Sequence, residues 1–206
     1  MERKNTSETF QERAIRFIRE QGGIIRTAKA LQVGIHPRIF YQLRDDGVLV
    51  QVSRGVYRLA DKGPISNPDL VTVATRIPDA VICLVSALAF HKITTQIPHA
   101  ISIALKKGSE SPRIEYPPIS IHRFSDSSLN EGIEKHLIDG VTVRFYGPEK
   151  TLADCFKFRN KIGMDVVLEA LKLYKARKKF CLADLLKYAR ICRVENVMKP
   201  YLEVTI

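Results

Sequence analysis

The fold of this chain is decided by the stretch Thr27–Leu59, which reads TAKALQVGIHPRIFYQLRDDGVLVQVSRGVYRL. It predicts a short helix capped by Thr27, a turn at Gly34, a second helix starting at Pro37, and then a β-hairpin. A threonine hydroxyl can cap a helix, and glycine tolerates the positive φ of a tight turn. Proline suits a first helical turn because its missing N–H has no partner there in any case. This order of elements is that of a winged helix-turn-helix.

The second helix of this stretch has two chemically different faces. Ile35, Ile39 and Leu43 recur at a spacing of four, which predicts one buried stripe. Arginine and glutamine can form paired hydrogen bonds with base edges in the major groove. The outward face would carry such side chains, so the segment is typical of a recognition helix, with the outward residues Arg38, Tyr41, Gln42, Arg44 and Asp45.

The hairpin that follows has the composition of a basic wing. Val48–Val52 and Val56–Leu59 predict two strands around the turn at Arg54. An arginine at the tip of the hairpin, with Arg58 behind it, suits contact with phosphate or with the minor groove. The alternative is a small helical-hairpin module that binds a protein or only packs. The predicted DNA-binding residues are Thr27, His36, Arg38, Tyr41, Gln42, Arg44, Arg54 and Arg58.

The segments on either side of this stretch predict two domains. Ser7–Gln21 has apolar residues at helical spacing, and Ile24–Ile25 predicts a short strand that pairs with the wing. Asp61–Asp69 contains two prolines and a glycine, which indicates a junction. We therefore predict an α+β protein with a winged helix-turn-helix domain at 1–62 and a mixed α/β domain at 63–206.

Composition favours a polyanionic partner without identifying it. The 206 residues include 33 Lys and Arg against 22 Asp and Glu, a net charge of +11. That balance suits DNA, but it would equally suit an RNA-binding or membrane-surface protein. The sequence contains no run of 18 apolar residues, which argues against a membrane span. The first residues lack the apolar core of a signal peptide, so we expect a cytoplasmic location.

The cysteines predict no cofactor or metal. Cys83, Cys155, Cys181 and Cys192 are scattered among mostly apolar neighbours and form no CxxC pair. Zinc sites and thioredoxin-like motifs need closely spaced pairs of that kind. We expect buried, reduced thiols.

Several further elements are predicted beyond the junction, where helical and strand-like segments are mixed. Ser86 is a candidate cap for a helix that runs through Phe90. The other segments have strand or helical patterns separated by proline and glycine. The predicted strands are 101–105, 119–124 and 141–146; the predicted helices are 68–76, 148–158, 164–174, 182–191 and 194–202.

Two groups of residues in the second domain were considered for catalysis. The first is His91 with His99, and the second consists of Asp126, Glu131, Glu134 and His136. A metal or acid–base site needs such groups to converge, and these spacings do not force convergence. The sequence also lacks a zinc-protease motif, a P-loop and a nucleophile elbow. His91 is better explained as a helix cap and the acidic group as a solvated surface, so we do not predict an enzyme.

A second basic patch has two interpretations. It follows a predicted helix, where cations suit the negative end of the helix dipole. It could equally make a second contact with nucleic acid or with an acidic partner. The patch consists of Lys172, Lys175, Arg177, Lys178 and Lys179.

The chain resembles the AbiEi antitoxin family. The resemblance begins at IIRTAKALQVGIHPRIFYQLRDDGVLVQVSRGVYRLA and continues through PDLVTVATRIPDAVICLVSALAFHKITTQIPH, VRFYGPEKTLADCFKFRNKIGMDVVLEAL and YARICRVENVMKPYLE. It implies an antitoxin of a type IV toxin–antitoxin module whose partner toxin is nucleotidyltransferase-like. It also implies that the winged helix represses the protein's own operon, with Arg38, Tyr41, Gln42, Arg44 and Arg54 at the matching positions.

The leading hypothesis is therefore a repressor and antitoxin without enzymatic activity. It would bind double-stranded operator DNA, with an inverted repeat as the expected target. One alternative is a nucleic-acid-modifying enzyme targeted by its winged helix, which a buried cluster of histidines and carboxylates would favour. Another is a stand-alone ligand-responsive regulator, which an apolar pocket would favour.

Overall fold

A computed structural model describes residues 8–63 and 65–203 of the chain. Its N-terminal part runs in the order helix, strand, helix, helix, strand, strand. The elements are α1 (Phe10–Glu20), β1 (Ile24–Arg26), α2 (Thr27–Gln32), α3 (Pro37–Asp45), β2 (Leu49–Ser53) and β3 (Val56–Leu59). This is the winged helix-turn-helix order that the sequence predicts.

Helix α1 begins with a reciprocal cap. The Glu12 backbone N–H donates to Thr9 Oγ1 at 3.2 Å, and the Thr9 N–H donates to Glu12 Oε2 at 2.8 Å. This capping box satisfies two N–H groups that a helix start leaves without partners. It also lowers the pKa of Glu12. The predicted helix started at Ser7, which lies outside the described residues.

The three N-terminal strands form one antiparallel sheet in the order β1-β3-β2. Ile24 pairs with Arg58 and Ile25 with Tyr57, which confirms the predicted pairing of this short strand with the wing. Between β2 and β3 the register shifts near Val52, so the hairpin carries a bulge close to its tip.

The core of this small domain corrects the predicted stripe on α3. Phe40 and Leu43 are buried, whereas Ile35 and Ile39 are only half-buried. The face that packs inward is therefore the one that carries Phe40, whose ring meets Tyr57 edge-on with centroids 5.2 Å apart. The spacing of four identified Leu43 and the two isoleucines that pack against this core, but it missed Phe40, three residues before Leu43 on the same helical face.

The compact N-terminal unit contains more than the first 62 residues. Helix α4 (Pro68–Arg76) packs against β1 and β2. The described chain up to Pro78 belongs to this unit, together with Leu137–Thr142. The division at residue 62 stays a prediction, and the predicted junction lies inside this unit.

The second unit is built on a mixed five-stranded sheet in the order β6-β5-β4-β8-β7. Strand β4 pairs antiparallel with β5 and parallel with β8, and β5 pairs parallel with β6. The strands are β4 (Val81–Ile82), β5 (Ile101–Lys106), β6 (Ile119–Phe124), β7 (Ile133–Ile138) and β8 (Val141–Tyr146).

Helices supply the rest of the second core. Helix α7 packs against α5, α9 and α10, and the cluster they bury includes Leu88, Phe156 and Leu171. The helices are α5 (Leu84–Phe90), α6 (Asp126–Leu129), α7 (Pro148–Lys157), α8 (Arg159–Ile162), α9 (Met164–Lys175), α10 (Leu182–Cys192) and α11 (Glu195–Glu203). The fold class is α+β, as predicted. In the part of the chain that is described, no helix is long and apolar enough to cross a membrane.

Two local predictions in this unit are wrong. Ser86 does not cap α5, because the helix begins at Leu84 and Ser86 Oγ instead accepts from the Ser102 N–H at 2.9 Å. Ile133–Ile138 is a strand, although Glu134 and His136 suggested a solvated loop and helix face. Strand β7 lies at the edge of the sheet, where polar side chains are common.

Candidate nucleic-acid interface

The turn between α2 and α3 depends on Gly34. Its φ is +88°, a conformation that glycine adopts without steric cost. The Gly34 N–H donates to the Leu31 carbonyl at 3.1 Å, and the Ile35 N–H donates to the Ala30 carbonyl at 3.0 Å. These two bonds satisfy carbonyls at the end of α2 and fix the direction in which α3 leaves.

The two predicted helix starts have different outcomes. His36 is the cap of α3, and its Nδ1 accepts from the Arg38 N–H at 3.2 Å. Pro37 lies in the first turn of α3, as predicted. Thr27 is not the cap of α2: the cap residue is Arg26, which makes no side-chain cap bond. The Thr27 N–H instead donates to the Gly55 carbonyl of the wing turn at 3.0 Å, so Thr27 already lies inside the helix.

The exposed face of α3 has the composition needed to read DNA. Arg38 and Gln42 are exposed, and Tyr41 between them keeps 40% of its surface in solvent. Among the described residues, the side chains of Arg38 and Gln42 have no hydrogen-bond or ion-pair partner. Their donors and acceptors are therefore available for base edges.

Arg44 is held more tightly than its neighbours on α3. Its guanidinium donates to Asp45 Oδ1 from Nε at 2.8 Å and from Nη2 at 2.7 Å. It also lies over the Tyr41 ring, 4.9 Å from the centroid. The bond to Asp45 raises the pKa of Arg44, so the group stays charged. Arg44 would have to leave Asp45 before it could contact DNA with its full set of donors.

An arginine that sequence reasoning missed forms a hydrogen bond with the backbone of the turn at the tip of the wing. Arg76 Nη1, on α4, donates to the Arg54 carbonyl at 2.6 Å, and the Arg76 carbonyl accepts from Arg26 Nη1 at 3.4 Å. Gly55, beside Arg54, has a φ of +73°. The backbone of the turn is fixed in this way, and the Arg54 side chain is exposed. A terminal arginine on a predicted helix gives no signal that its partner is a carbonyl 22 residues earlier.

Arg58 bonds to the backbone that follows the wing. Its Nη1 donates to the carbonyls of Leu59 at 3.3 Å, Gly63 at 3.2 Å and Lys62. The guanidinium therefore holds the segment that leaves the wing. Arg58 is the half-buried residue of β3, and its role in DNA binding stays a prediction.

The predicted second basic patch is only partly on the surface. Lys172, Lys178 and Lys179 are exposed. Arg177 donates to the carbonyls of Lys92, at 2.9 Å, and His91, and so closes the end of α5. The Lys175 Nζ is buried without a hydrogen-bond partner. The five residues thus do not form one surface, and three of them remain as a candidate contact.

The side chains of the two groups weighed for catalysis make separate local contacts. His91 does not cap α5 with its ring; its Nε2 donates to the Tyr146 carbonyl at 2.7 Å, and burial lowers its pKa. His136 bonds Glu134 at 2.9 Å, and its ring lies 6.3 Å from that of His91. Asp126 pairs with Lys106 instead. Among the described residues, no three His, Cys, Asp or Glu side chains are placed to hold a metal.

The cysteines are free thiols. Cys83, Cys155 and Cys192 are buried and Cys181 is half-buried. Burial raises the pKa of the three buried thiols, that of Cys192 to about 12, which makes them poor nucleophiles.

The second core contains a buried ion pair that sequence reasoning missed. Lys150 Nζ lies 2.5 Å from Asp154 Oδ2, and both side chains are fully buried. Lys150 Nζ is also 4.0 Å from the centroid of the Tyr146 ring, and Asp154 Oδ1 accepts from Cys192 Sγ at 3.2 Å. A spacing of four on a helix is normally a surface pair, so the sequence carried no sign of burial.

Comparison with solved structures supports the fold over most of the chain. The crystal structure of the RV2827C protein from Mycobacterium tuberculosis is similar with a TM-score of 0.52 and 15% sequence identity. The match covers 94% of this chain and 80% of that one. No curated protein matches the sequence significantly.

A family comparison concerns the interface itself. Residues 12–60, from α1 to the end of the wing, match the family model described as "Transcriptional regulator, AbiEi antitoxin". Over these residues the chain is thus similar to the AbiEi family of transcriptional regulators and antitoxins, in agreement with the sequence resemblance.

Proposed function

We propose that the chain is a transcriptional repressor that binds its own operator through α3 and the wing, and that it is the antitoxin of a type IV module. The observation that carries the proposal is the exposed face of α3, where Arg38 and Gln42 flank Tyr41 without partners in the described chain. Such side chains match guanine and adenine edges in the major groove. The family match over residues 12–60 supports a regulator. A cytoplasmic location is part of the proposal, because a repressor must meet its operator there.

The net charge supports the same partner. With +11 overall, the protein gains affinity for DNA by releasing counterions from the phosphates. That component does not depend on sequence, so it supplies non-specific affinity while α3 supplies discrimination. An inverted repeat, with half-sites about one helical turn apart, is the expected operator.

The experiment that tests this proposal is electrophoretic mobility of the purified protein with the DNA upstream of its own gene. A scrambled fragment of equal length is the control. Tight binding to the upstream fragment, and weaker, salt-sensitive binding to the scrambled one, is the expected result. Equal affinity for both would contradict the repressor function.

The wing gives a prediction of its own. Arg54→Ala should weaken binding to every DNA sequence and reduce the slope of log affinity against log salt by about one phosphate contact. The reason is that Arg54 lies in the fixed turn at the tip of the wing, from which it would contact the phosphate backbone of DNA. Contacts with phosphates do not depend on the base sequence. Titrations at several salt concentrations measure the slope, with Arg16→Ala on α1 as the control. An unchanged slope would leave the hairpin as scaffold only.

The antitoxin role is proposed for the second domain, residues 63–206, with residues 1–62 carrying DNA binding. The partner would be a nucleotidyltransferase-like toxin encoded nearby. The exposed lysines Lys172, Lys178 and Lys179 are the candidate contact, because a basic surface suits either an acidic protein or nucleic acid. Helix α4 and Arg76, which belong to the N-terminal unit, support the wing from beyond residue 62.

Charge reversal separates the two roles in the full chain. Replacing Lys172, Lys178 and Lys179 by glutamate should abolish growth rescue when the protein is co-expressed with the toxin, since like charges oppose the contact. Operator affinity should change less than about threefold, because α3 and the wing are untouched. The matched control reverses Lys187 and Lys199. Loss of operator binding with rescue intact would contradict this division of labour.

A further inference from the structure

The winged helix-turn-helix contains a cavity beside the exposed face of α3. Its volume is about 500 Å³, and it lies between α1 and the turn that leads into α3. Its apolar walls are Phe10 and Phe17 on one side and Val33, Ile35 and Ile39 on the other. Pockets of about 300–1,000 Å³ with such linings are the usual size for small ligands.

The cavity leaves apolar surface in contact with water. Phe10 is 73% exposed and Val33 is 38% exposed, although both lie on elements that otherwise bury their apolar residues. Each square ångström of apolar surface that a ligand removed from water would contribute about 25 cal/mol. An apolar occupant is therefore favoured on this wall.

The polar side chains at the rim of the cavity select a negative charge. Of the described residues, Arg13 and His36 line it and no carboxylate does. The carboxylate nearest to Arg13 is Glu8, at 3.9 Å, and Glu8 makes its closer pair with Arg16 at 3.0 Å. Most of the guanidinium donors of Arg13 thus remain available for an anionic ligand.

The helix cap fixes which nitrogen of His36 can serve a ligand. Nδ1 accepts from the Arg38 N–H, so in the neutral ring the proton must be on Nε2. Nε2–H is then a donor. Two residues that line the cavity, Arg13 and His36, thus offer an ion-pair partner and a hydrogen-bond donor to an anionic ligand.

We propose that this cavity binds a small apolar carboxylic acid, alkyl or aryl, with its carboxylate on Arg13 and His36 and its apolar body against Phe10, Phe17 and Ile39. The bound ligand lowers operator affinity, a consequence that rests on the proposed function. Its negative charge lies beside the first turn of α3, next to Arg38, where DNA phosphates approach. By linkage, operator DNA lowers the affinity for the acid by the same factor.

The binding test uses the full-length protein without DNA and octanoate as the probe. Isothermal titration should give saturable one-to-one binding of octanoate, with 1-octanol much weaker and octylammonium not bound. Arg13→Gln should weaken octanoate binding about tenfold, because it removes a charge-assisted hydrogen bond. Arg19→Gln, on the same helix but outside the cavity, is the matched control, because its partner is the exposed Asp61, and it should bind octanoate like the wild type.

Several results would overturn the proposal. One is absence of octanoate binding, and another is equal binding of octanoate and octylammonium, which would indicate general apolar adsorption. Unchanged octanoate affinity in Arg13→Gln would do the same. Self-association of the protein would also overturn the proposal if sedimentation showed that Phe10→Ser abolishes it and octanoate does not. A second copy of the chain would then occupy the cavity.

The effect of the bound acid on operator affinity is measured separately. Octanoate added to operator complexes should weaken operator binding in the wild type and in Arg19→Gln, and weaken it less in Arg13→Gln. If octanoate binds but the protein shows no operator preference, the repressor function fails and the site stands. If the operator binds and octanoate binds without any effect on it, the proposed effector role is wrong.

Discussion

Replacing Arg38 or Gln42 by alanine is expected to weaken operator binding about 5- to 150-fold, while binding to random DNA changes far less. A bidentate base contact contributes about 1–3 kcal/mol of discrimination, which corresponds to that range. Both side chains point outward from α3 and have no partner in the described chain, so alanine removes a DNA contact without exposing a buried group. The stability of the domain should therefore be nearly unchanged.

The measurement is the ratio of affinities for the operator and for scrambled DNA in each variant. Gln96→Ala and Arg16→Ala are matched controls, since both residues are exposed and neither lies on α3. Arg44→Ala is expected to have a smaller effect than Arg38→Ala because Arg44 is already bonded to Asp45. If Arg38→Ala and Gln42→Ala weakened operator and random DNA equally, α3 would not be the recognition helix.

The local elements of the winged helix were predictable because their signals are local. Gly34, Pro37 and Gly55 each occupy a backbone conformation or helix position that restricts the residue type, so the helix-turn-helix and the hairpin could be placed from sequence. Strand β7 was missed because its polar residues at the edge of a sheet resemble those of a solvated loop.

The partners of charged side chains were the part that sequence could not supply. Arg58, Arg76 and Arg177 all donate to backbone carbonyls. The carbonyls that accept from Arg76 and Arg177 are distant in sequence, so only the fold brings them close to these side chains. A basic residue in a sequence gives no sign of whether it faces solvent, DNA or a carbonyl. The three arginines nevertheless account for the shape of the wing and for the division of the second basic patch.

The ion pair Lys150–Asp154 carries the second large prediction. Replacing Asp154 by alanine should destabilise the protein by about 3–5 kcal/mol, because it leaves the Lys150 ammonium buried without its counter-charge. The double replacement Lys150→Met and Asp154→Leu should recover most of that loss. Lys199→Met breaks an exposed pair with Glu195 at the same helical spacing and should cost at most about 0.5 kcal/mol.

The single variant Lys150→Met should show a distinctive dependence on pH. Burial raises the pKa of Asp154, and Lys150 is the main group that opposes this rise. Without Lys150, the folded-state pKa lies above that of the unfolded chain, so the folded protein binds more protons. The free energy of unfolding should therefore fall as pH rises through the folded-state pKa and recover as pH is lowered, whereas the wild type changes less.

Urea unfolding of the full chain at several pH values measures both effects, and operator binding by the same variants shows which domain has been lost. Because the pair lies in the core of the second unit, Asp154→Ala should impair toxin neutralisation while α3 and the wing still bind DNA. A Lys150→Met variant as stable as the wild type at every pH would mean that the buried carboxylate is already neutral. In that case Lys150 and Asp154 would stabilise this core through packing, and not through the attraction between their charges.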